Sequence, residues 1–236
     1  MQVRGLVKRD VGSESGRLLV IGDVHGCARA LSLLLEAVAV ERSDTVVLLG
    51  DLVDRGPDSR GVLERVMLLE GECRLVMVLG NHEEMMLSGL RGPGRDEWLK
   101  WGGRTTLDSY GGRVEDVPED HRQWLSGGVD YFETDSEICI HANLEPGVPL
   151  AEQSAEWLRW SHLTGREESH ASGRRIVCGH TPQPIGLPLV SDGWLCIDTL
   201  CWAGGFLTCV DLRSDEIWQA QESGTVREGL TLGDLA

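Results

Sequence analysis

The sequence predicts a mixed α/β domain, and three observations lead to this fold class. Three short apolar runs each end in glycine, at Leu18–Gly22, Thr45–Gly50 and Leu75–Gly80. Branched apolar runs of this length are typical of buried parallel strands. Helix-like segments separate the runs, and each repeat spans roughly 30 residues, which is the length of a βαβ unit.

The segments around these runs predict further elements in chain order. Residues 27–40 are rich in Ala and Leu and predict a helix that packs on the sheet. Asp58 or Ser59 can cap a second helix that reaches about Leu69. Residues 84–128, with three tryptophans and several glycine pairs, predict a mostly helical insertion beside the site. Later runs predict a polar helix at 152–162 and strands, antiparallel among the last three, at 137–140, 176–178, 194–198, 206–212 and 216–220.

The length of the chain favours a single domain. A chain of 236 residues is within the size that one core supports, because single cores remain comfortable up to roughly 250 residues. We expect an N-terminal arm at residues 1–16, one domain at 17–220 that includes the insertion, and a polar C-terminal tail at 221–236.

Composition excludes several classes of function. The net charge of −16 argues against a nucleic-acid partner, because phosphate backbones require a basic surface. No apolar run approaches the roughly 20 residues of a membrane span, and the charged N-terminus has no apolar signal core. These features predict a cytoplasmic protein that does not bind membranes. The 7 cysteines are an odd number without a CxxC pair, which favours reduced thiols over disulfides or a zinc knuckle.

Polar side chains follow five of the predicted strands, at the point where each strand ends. Because loops after parallel strands lie side by side, we expect these side chains to converge. Carboxylate, imidazole and amide ligands together suit Mn, Fe or Zn better than Ca. The set exceeds what one ion needs, so it predicts two ions that share a carboxylate, roughly 3.5–4 Å apart. The residues are Asp23, His25, Asp51, Asp54, Arg55, Asn81, His82, His141 and His180.

Five motifs in this order carry a specific resemblance. Residues 22–26 are GDVHG, residues 50–56 are GDLVDRG and residues 80–83 are GNHE, and His141 and Gly179-His180 follow. From about residue 17 to 212 the chain resembles the phosphoprotein phosphatase (PPP) family of calcineurin-like metallophosphoesterases. Residues 101–111 and 178–182 are most similar to its bacterial and phage-type serine/threonine phosphatases. The resemblance implies a four-layer αββα sandwich with two mixed sheets and the metals at one edge.

The resemblance also implies a set of metal ligands. Two divalent ions, Mn²⁺ first and Fe or Zn as alternatives, would lower the pKa of a bridging water and hold the attacking and leaving oxygens of a phosphoryl group. Asp51 would bridge the two ions. The remaining ligands would be Asp23 and His25 for the first ion, and Asn81, His141 and His180 for the second.

The catalytic residues follow from the same motifs. His82, oriented by Asp54, would donate a proton to the leaving group during in-line attack by the bridging hydroxide. Arg55 would hold phosphate oxygens with its planar guanidinium. A second phosphate-binding arginine of bacterial members is assigned to Arg159, within Trp157-Leu158-Arg159. Its competitors are Arg166, Arg174 and Arg175.

Three hypotheses about function follow. The first is a metal-dependent phosphatase that acts on phosphoserine or phosphothreonine in proteins. The second is symmetrical hydrolysis of diadenosine tetraphosphate, which a related branch of the family performs. The third, from another class, is a non-catalytic phosphoprotein-binding module. Relatives that have lost catalysis typically lack a metal ligand or the acid histidine. Asp198-Thr199-Leu200, where many members have Asp-Thr-Gly, leaves the substrate open between a phosphoprotein and a small phosphorylated compound.

Overall fold

The computed structural model describes residues 5–7 and 16–235, and twelve strands lie within this part of the chain. Numbered along the chain, they are β1 (Gly5–Val7), β2 (Leu18–Ile21), β3 (Thr45–Leu48), β4 (Arg74–Met77), β5 (Tyr131–Glu133), β6 (Glu137–Ile140), β7 (Arg175–Cys178), β8 (Leu189–Ser191), β9 (Trp194–Cys196), β10 (Leu207–Asp211), β11 (Glu216–Ala220) and β12 (Val226–Thr231). They form two six-stranded mixed sheets. Sheet I has the order β12-β11-β10-β2-β3-β4, and sheet II has the order β1-β5-β6-β7-β9-β8.

Seven α-helices occur in the described residues. They are α1 (Ala28–Val38), α2 (Ser59–Leu69), α3 (Asn81–Arg91), α4 (Arg95–Trp98), α5 (Arg104–Ser109), α6 (Glu119–Ser126) and α7 (Ala155–Trp160). A π-helical turn at Leu99–Gly103 joins α4 to α5, and 3₁₀ turns lie at Val114–Asp116, Leu150–Glu152, Cys201–Ala203 and Leu232–Asp234.

The three glycine-terminated runs form the parallel centre of sheet I, as predicted. Strand β3 pairs in parallel with β2 on one side and with β4 on the other. Helix α1 connects β2 to β3, and α2 connects β3 to β4. The carboxylate of Asp58 caps α2 by accepting the Gly61 N–H at 2.8 Å, which confirms one of the two predicted caps.

The side chains of the strands alternate between two apolar layers, and this alternation builds the four-layer sandwich. In β2, Leu18 and Val20 face sheet II, whereas Leu19 and Ile21 face the helices. The layer between the sheets also contains Val47, Val76, Phe132, Cys139, Val177 and Leu195. Helix α7 covers the outer face of sheet II through Leu158, which packs with Ile138 and Ile176. The predicted αββα fold is therefore confirmed.

The structure differs from the expectation for the second half of the chain. Strand β9, expected in one antiparallel group with β10 and β11, belongs to sheet II, where it pairs in parallel with β7 and antiparallel with β8. Strands β10 and β11 are antiparallel strands of sheet I. Residues 221–236, expected as a polar tail, contain β12, which pairs with β11. Because β12 is an edge strand with mostly exposed side chains, it lacks the apolar alternation that marks other strands.

The two flanking segments of the predicted domain organisation are only partly described. Of the expected arm at 1–16, residues 1–4 and 8–15 lie outside the described residues, while β1 pairs in parallel with β5. The segment 84–128 is built mainly of helices, and the first of them, α3, already begins at Asn81. All seven cysteines are buried and unpaired. Among the described helices, none combines the length and the hydropathy that a membrane crossing requires.

An ion pair closes the end of sheet I at which β2 and β3 begin. The carboxylate of Asp44 is only 2% exposed and accepts hydrogen bonds from the Arg17 guanidinium at 2.6 Å and the Arg17 N–H at 3.0 Å. The same guanidinium donates to the carbonyls of Val38 and Ala39 at the end of α1. Burial acts to raise the pKa of Asp44, but hydrogen bonds from Arg17 and from backbone amides lower it overall.

We predict that Asp44→Asn lowers the free energy of unfolding by about 2–3 kcal/mol at neutral pH, because it leaves a partly buried guanidinium without its counter-charge. Since the pKa of Asp44 is lowered in the folded state, this contribution is present above the ordinary Asp pKa and disappears as the pH falls through the lowered value. Urea denaturation at several pH values measures it. The control Glu64→Gln, which removes the exposed Arg60–Glu64 pair, should change stability little; equal effects of both variants would contradict the prediction.

Candidate dinuclear metal centre

The polar residues after the strand ends meet around one carboxylate, that of Asp51. His25 Nε2 lies 3.4 Å from Asp51 Oδ2, and His141 Nε2 lies 3.4 Å from Asp51 Oδ1. The two histidines follow strands of different sheets, β2 and β6. Asp51 and both histidines are buried. The predicted convergence is thus present at the edge where the strand ends of both sheets meet.

Glycine precedes several of these residues because no side chain fits there. A Cβ added at Gly80 would lie 2.2 Å from Asp51 Oδ1, and one added at Gly179 would lie 2.0 Å from Asp23 Oδ1. Any other residue would therefore displace a carboxylate of the centre. At Gly22 and Gly50 an added Cβ would instead lie 2.5 Å from a backbone atom, the Ile197 carbonyl oxygen and the Gly80 nitrogen respectively, so each of the three runs ends where only glycine fits.

The backbone of the centre is held in a conformation that is costly for non-glycine residues. Left-handed conformations of this kind cost on the order of 1–3 kcal/mol each and persist only where surrounding contacts enforce them. Five of the eight non-glycine residues with positive φ in the described chain belong to the centre. They are His25 (46°), Asp51 (50°), Asp54 (72°), Arg55 (69°) and His180 (60°).

The carboxylate of Glu83 holds part of this backbone in place. It accepts the amide protons of Asp51 and Leu52, both at 2.7 Å, and that of Gly80 at 3.0 Å. Burial and the nearby charge of Asp51 raise the pKa of Glu83 to about 7. Glu83 therefore supports the loop that carries Asp51 and ties it to the start of α3.

Three histidines present a free ring nitrogen to the centre. Nδ1 of His25 and of His141 each donates to a backbone carbonyl, at 2.9 and 2.7 Å, and Nε2 of His180 does so at 3.1 Å. These bonds fix the tautomers, so the opposite nitrogen of each ring carries a lone pair. Burial lowers the pKa of His25 and of His180 to about 3 and also lowers that of His141. A lowered pKa favours the neutral imidazole, which is the form that binds a metal.

The chemistry of the second group of ligands fits a divalent cation. Asn81 Oδ1, His141 Nε2 and His180 Nδ1 lie 3.1–3.2 Å from one another. All three atoms offer lone pairs, and a cation between them would remove their mutual repulsion. The ligand atoms of Asp51, His141 and His180 all lie within 4.8 Å of one another, and so do those of His25, Asp51 and His82. Two adjacent groups of potential ligands therefore share Asp51.

Asp23 is buried beside this group but belongs to neither cluster. Its carboxylate accepts the His180 amide proton at 3.1 and 3.2 Å. Burial, together with the negative charges of Asp198 and Asp51, raises the pKa of Asp23 well above its usual range. A bound cation would offset this concentration of negative charge. Asp23 remains a predicted ligand, and the first cluster contains His82 in its place.

His82 is tied to a carboxylate on one side and open on the other. Its Nδ1 lies 2.7 Å from Asp54 Oδ2, and both side chains are fully buried. Its Nε2 has no hydrogen-bond partner and lies 4.0 Å from Asp51 Oδ2. Burial acts to lower the pKa of His82, but the charge of Asp51 and the bond to Asp54 raise it overall. This arrangement suits a proton donor that points into the centre.

Two residues of the helical segment position Asp54, and the sequence analysis gave them no role. The indole N–H of Trp98 donates to Asp54 Oδ1 at 2.9 Å, and the hydroxyl of Thr106 donates to the same oxygen at 2.7 Å. No motif signals contacts to a residue 44 or 52 positions away.

A further residue without a predicted role, the exposed His162, stacks on the ring of His180 with 4.4 Å between the centroids.

Arg55 lies at the mouth of the centre. Its Nη1 is 3.3 Å from His25 Nε2, and its guanidinium carbon lies 5.1 Å from the centre of the Trp202 ring. The side chain is only partly buried. Its contact with phosphate remains a prediction.

The other predicted arginine, Arg159, is already paired. It is buried on α7, where it forms ion pairs with Asp130 and, at 2.6 Å, with Glu84. Binding phosphate would require these pairs to loosen. Its competitors lie elsewhere: Arg174 pairs with Glu133 and Arg175 with Glu137 at the far end of β7, and Arg166 is exposed on a loop.

Several known proteins are similar to this chain in sequence. The symmetrical bis(5'-nucleosyl)-tetraphosphatase of Nitrosospira multiformis is 37% identical over an alignment that covers 86% of this chain and 95% of that protein. Two further curated relatives with the same name are each 46% identical over shorter segments, which span only 30% and 47% of their length.

Solved structures extend the comparison. The crystal structure of a candidate diadenosine tetraphosphatase matches with a TM-score of 0.71 and 23% identity, covering 97% of this chain and 99% of that one. A serine/threonine phosphatase from Saccharomyces cerevisiae matches with a TM-score of 0.63 and 16% identity, covering 89% and 77%. Residues 16–192 match the family described as calcineurin-like phosphoesterase. With this match and the geometry of the centre, the chain belongs to the calcineurin-like phosphoesterase family.

Proposed function

We propose that this chain is a metal-dependent hydrolase that cleaves dinucleoside tetraphosphates symmetrically, so that diadenosine tetraphosphate yields two molecules of ADP. The observation that carries the proposal is the 37% identity to a protein of that name along 86% of the chain. The curated relatives therefore favour the second hypothesis from the sequence over the first, a phosphoprotein substrate. The third, a non-catalytic module, is disfavoured because every predicted ligand and the acid histidine are present.

We propose that two cations bind to the predicted ligands of this chain. Two divalent cations would lower the pKa of a water molecule and neutralise charge on the phosphate under attack. Asp51 would contact both ions. His25 and Asp23 would hold the first, and Asn81, His141 and His180 would complete the second. Mixed nitrogen and oxygen ligands favour Mn²⁺, with Fe or Zn as alternatives.

His82 would supply a proton to the leaving oxygen. Its Nδ1–H is directed to Asp54, so a second proton on Nε2 makes the ring an acid that faces the substrate. Trp98 and Thr106 hold the Asp54 carboxylate, which keeps the ring in one orientation. Arg55 would bind the phosphate oxygens next to the bond that breaks and balance their charge.

We predict that Asp51→Asn lowers the metal content of the purified protein to below one ion per chain, because it removes the one carboxylate that faces both histidine groups. Elemental analysis after reconstitution with Mn²⁺ measures this content. The control Asp58→Asn alters a carboxylate of the neighbouring loop that caps α2 and should leave the metal content unchanged. A variant at Asp51 that retains two ions would contradict the assignment.

We predict that the Mn²⁺-loaded protein converts diadenosine tetraphosphate to ADP alone, and that a chelator abolishes this activity. Chromatography of the products measures both effects. Formation of ATP and AMP would contradict symmetrical cleavage. A larger kcat/KM for phosphoserine or phosphothreonine peptides would support the phosphoprotein hypothesis, and binding of either substrate without turnover would support the non-catalytic one.

We predict that His82→Asn lowers kcat by about 10²–10⁴-fold while both metals remain bound, since this is the range that general acid catalysis contributes. The loss should be larger for phenyl phosphate than for 4-nitrophenyl phosphate, because the more basic leaving oxygen depends more on a proton. Trp98→Phe keeps the aromatic ring but removes the N–H to Asp54. It should show the same leaving-group dependence with a loss of about 10-fold, the scale of one hydrogen bond to a charged group. Equal losses on both substrates would contradict the role of His82 as the acid.

A further inference from the structure

An exposed tryptophan stands beside the candidate metal centre. Trp202 is 41% exposed even though its ring contacts two residues of the centre. The Arg55 guanidinium lies over the ring at 5.1 Å, and the His25 ring meets it nearly at a right angle, with 6.3 Å between centroids. Trp202 thus combines an accessible aromatic surface with direct contact to the predicted phosphate and metal ligands.

The turn that carries Trp202 is closed by its own hydrogen bonds. The Gly205 N–H donates to the Leu200 carbonyl at 2.9 Å, and the Phe206 N–H donates to the Thr199 carbonyl at 3.0 Å. Cys201, the residue before the tryptophan, is buried in the core that packs on α1. The ring is therefore presented from a fixed backbone, and little conformational entropy is lost when a ligand covers it.

The contacts of the centre cannot by themselves select a nucleotide. Cations and Arg55 recognise phosphate oxygens, which inorganic polyphosphates and phosphopeptides also carry. A nucleobase adds a flat apolar face, and an aromatic side chain that stacks on it contributes about 1–3 kcal/mol. Trp202 lies against Arg55, so its exposed ring is next to any phosphate that Arg55 would hold.

We propose that Trp202 is the stacking platform for one nucleobase of the substrate and thereby determines specificity for nucleoside polyphosphates. This inference rests on the proposed function. Stacking uses the face of the base and not its edge, so adenine and guanine should bind similarly and pyrimidines more weakly. The ring holds no charge, so it adds no affinity for substrates that have no base.

A different role for Trp202 would be to hold Arg55 through its cation–π contact. The two roles make different predictions. Arg55 acts on the phosphate of every substrate, so losing its support would impair all substrates alike. Loss of a stacking platform would impair only those that carry a base.

The first experiment compares Trp202→Leu with the wild type in the Mn²⁺-loaded protein. We expect kcat/KM for diadenosine tetraphosphate to fall about 10- to 100-fold, mainly through KM, since this is the scale of one stacked base. The kcat/KM for inorganic tripolyphosphate, which has no aromatic ring, should stay within about twofold, and Trp202→Phe should recover most of the loss. The control Trp124→Leu changes a tryptophan that binds Glu70 away from the centre and should alter neither substrate. Equal losses on both substrates, or no loss on either, would overturn the proposal.

A second experiment separates this inference from the proposed function, because it needs no turnover. Calorimetry of the Mn²⁺-loaded protein gives the Kd of ADP and of methyl diphosphate, which has the same charged group without a nucleoside. We expect the wild type to bind ADP about 10- to 100-fold more tightly and Trp202→Leu to lose most of that difference. If diadenosine tetraphosphate is not cleaved, the proposed function fails, but the ADP preference still decides the role of Trp202. Equal Kd values for both ligands in the wild type would refute it.

Discussion

The carboxylate of Asp51, buried between imidazoles from the strand ends of both sheets, is the constraint on which the rest of the site depends. A charge removed from water is costly unless partners surround it. Here His25 and His141 approach its two oxygens, while Glu83 accepts the Asp51 amide proton on the far side. Such a shell requires five loops to meet closely. Glycine is therefore needed where two loops come into contact, and several polar residues adopt a left-handed backbone conformation. The apolar cores on both sides of sheet I stabilise the fold and so offset the cost of this conformation.

The same constraint explains how a strongly acidic chain can act on an anion. Without cations, Asp23, Asp51 and Asp198 concentrate negative charge in a buried space, and burial together with the Asp51 charge raises the pKa of Asp198 to about 6 even against a hydrogen bond from a backbone amide. Two divalent cations would reverse that local field. Binding of a phosphorylated substrate would then depend on metal loading more strongly than on the net charge of the surface. Arg55, which needs no cation to be charged, adds a fixed positive group at the mouth of the centre.

Local signals in the sequence were sufficient for the parallel strands of sheet I, the cap at Asp58 and the meeting of the polar loops, since each depends on residues a few positions apart. Strand β12 could not be found this way, because an exposed edge strand has no buried face to impose alternation on its sequence. The parallel pairing of β9 with β7 depends on the sheet to which β9 belongs. A short sequence pattern does not determine that sheet. Trp98 and Thr106 reach Asp54 through the packing of the helical segment, so their contacts exist only once the tertiary structure has formed.

Short sequence motifs supply the residues for the reaction, whereas the residues that would select the substrate depend on the tertiary structure. The ligands and the acid histidine lie in short motifs at strand ends, where β-sheet geometry fixes their positions. Groups of this kind would recognise phosphate and would not distinguish the compounds that carry it. Discrimination must therefore come from side chains around the centre, and these are supplied by the helical segment on one side and by residues 198–206 on the other. Both segments also pack into the core beside α1, through residues such as Leu107 and Cys201, so the fold that aligns the ligands also holds these surrounding side chains in place. Trp202 is in the second segment, and its contact with Arg55 joins that segment to the residue that would hold phosphate.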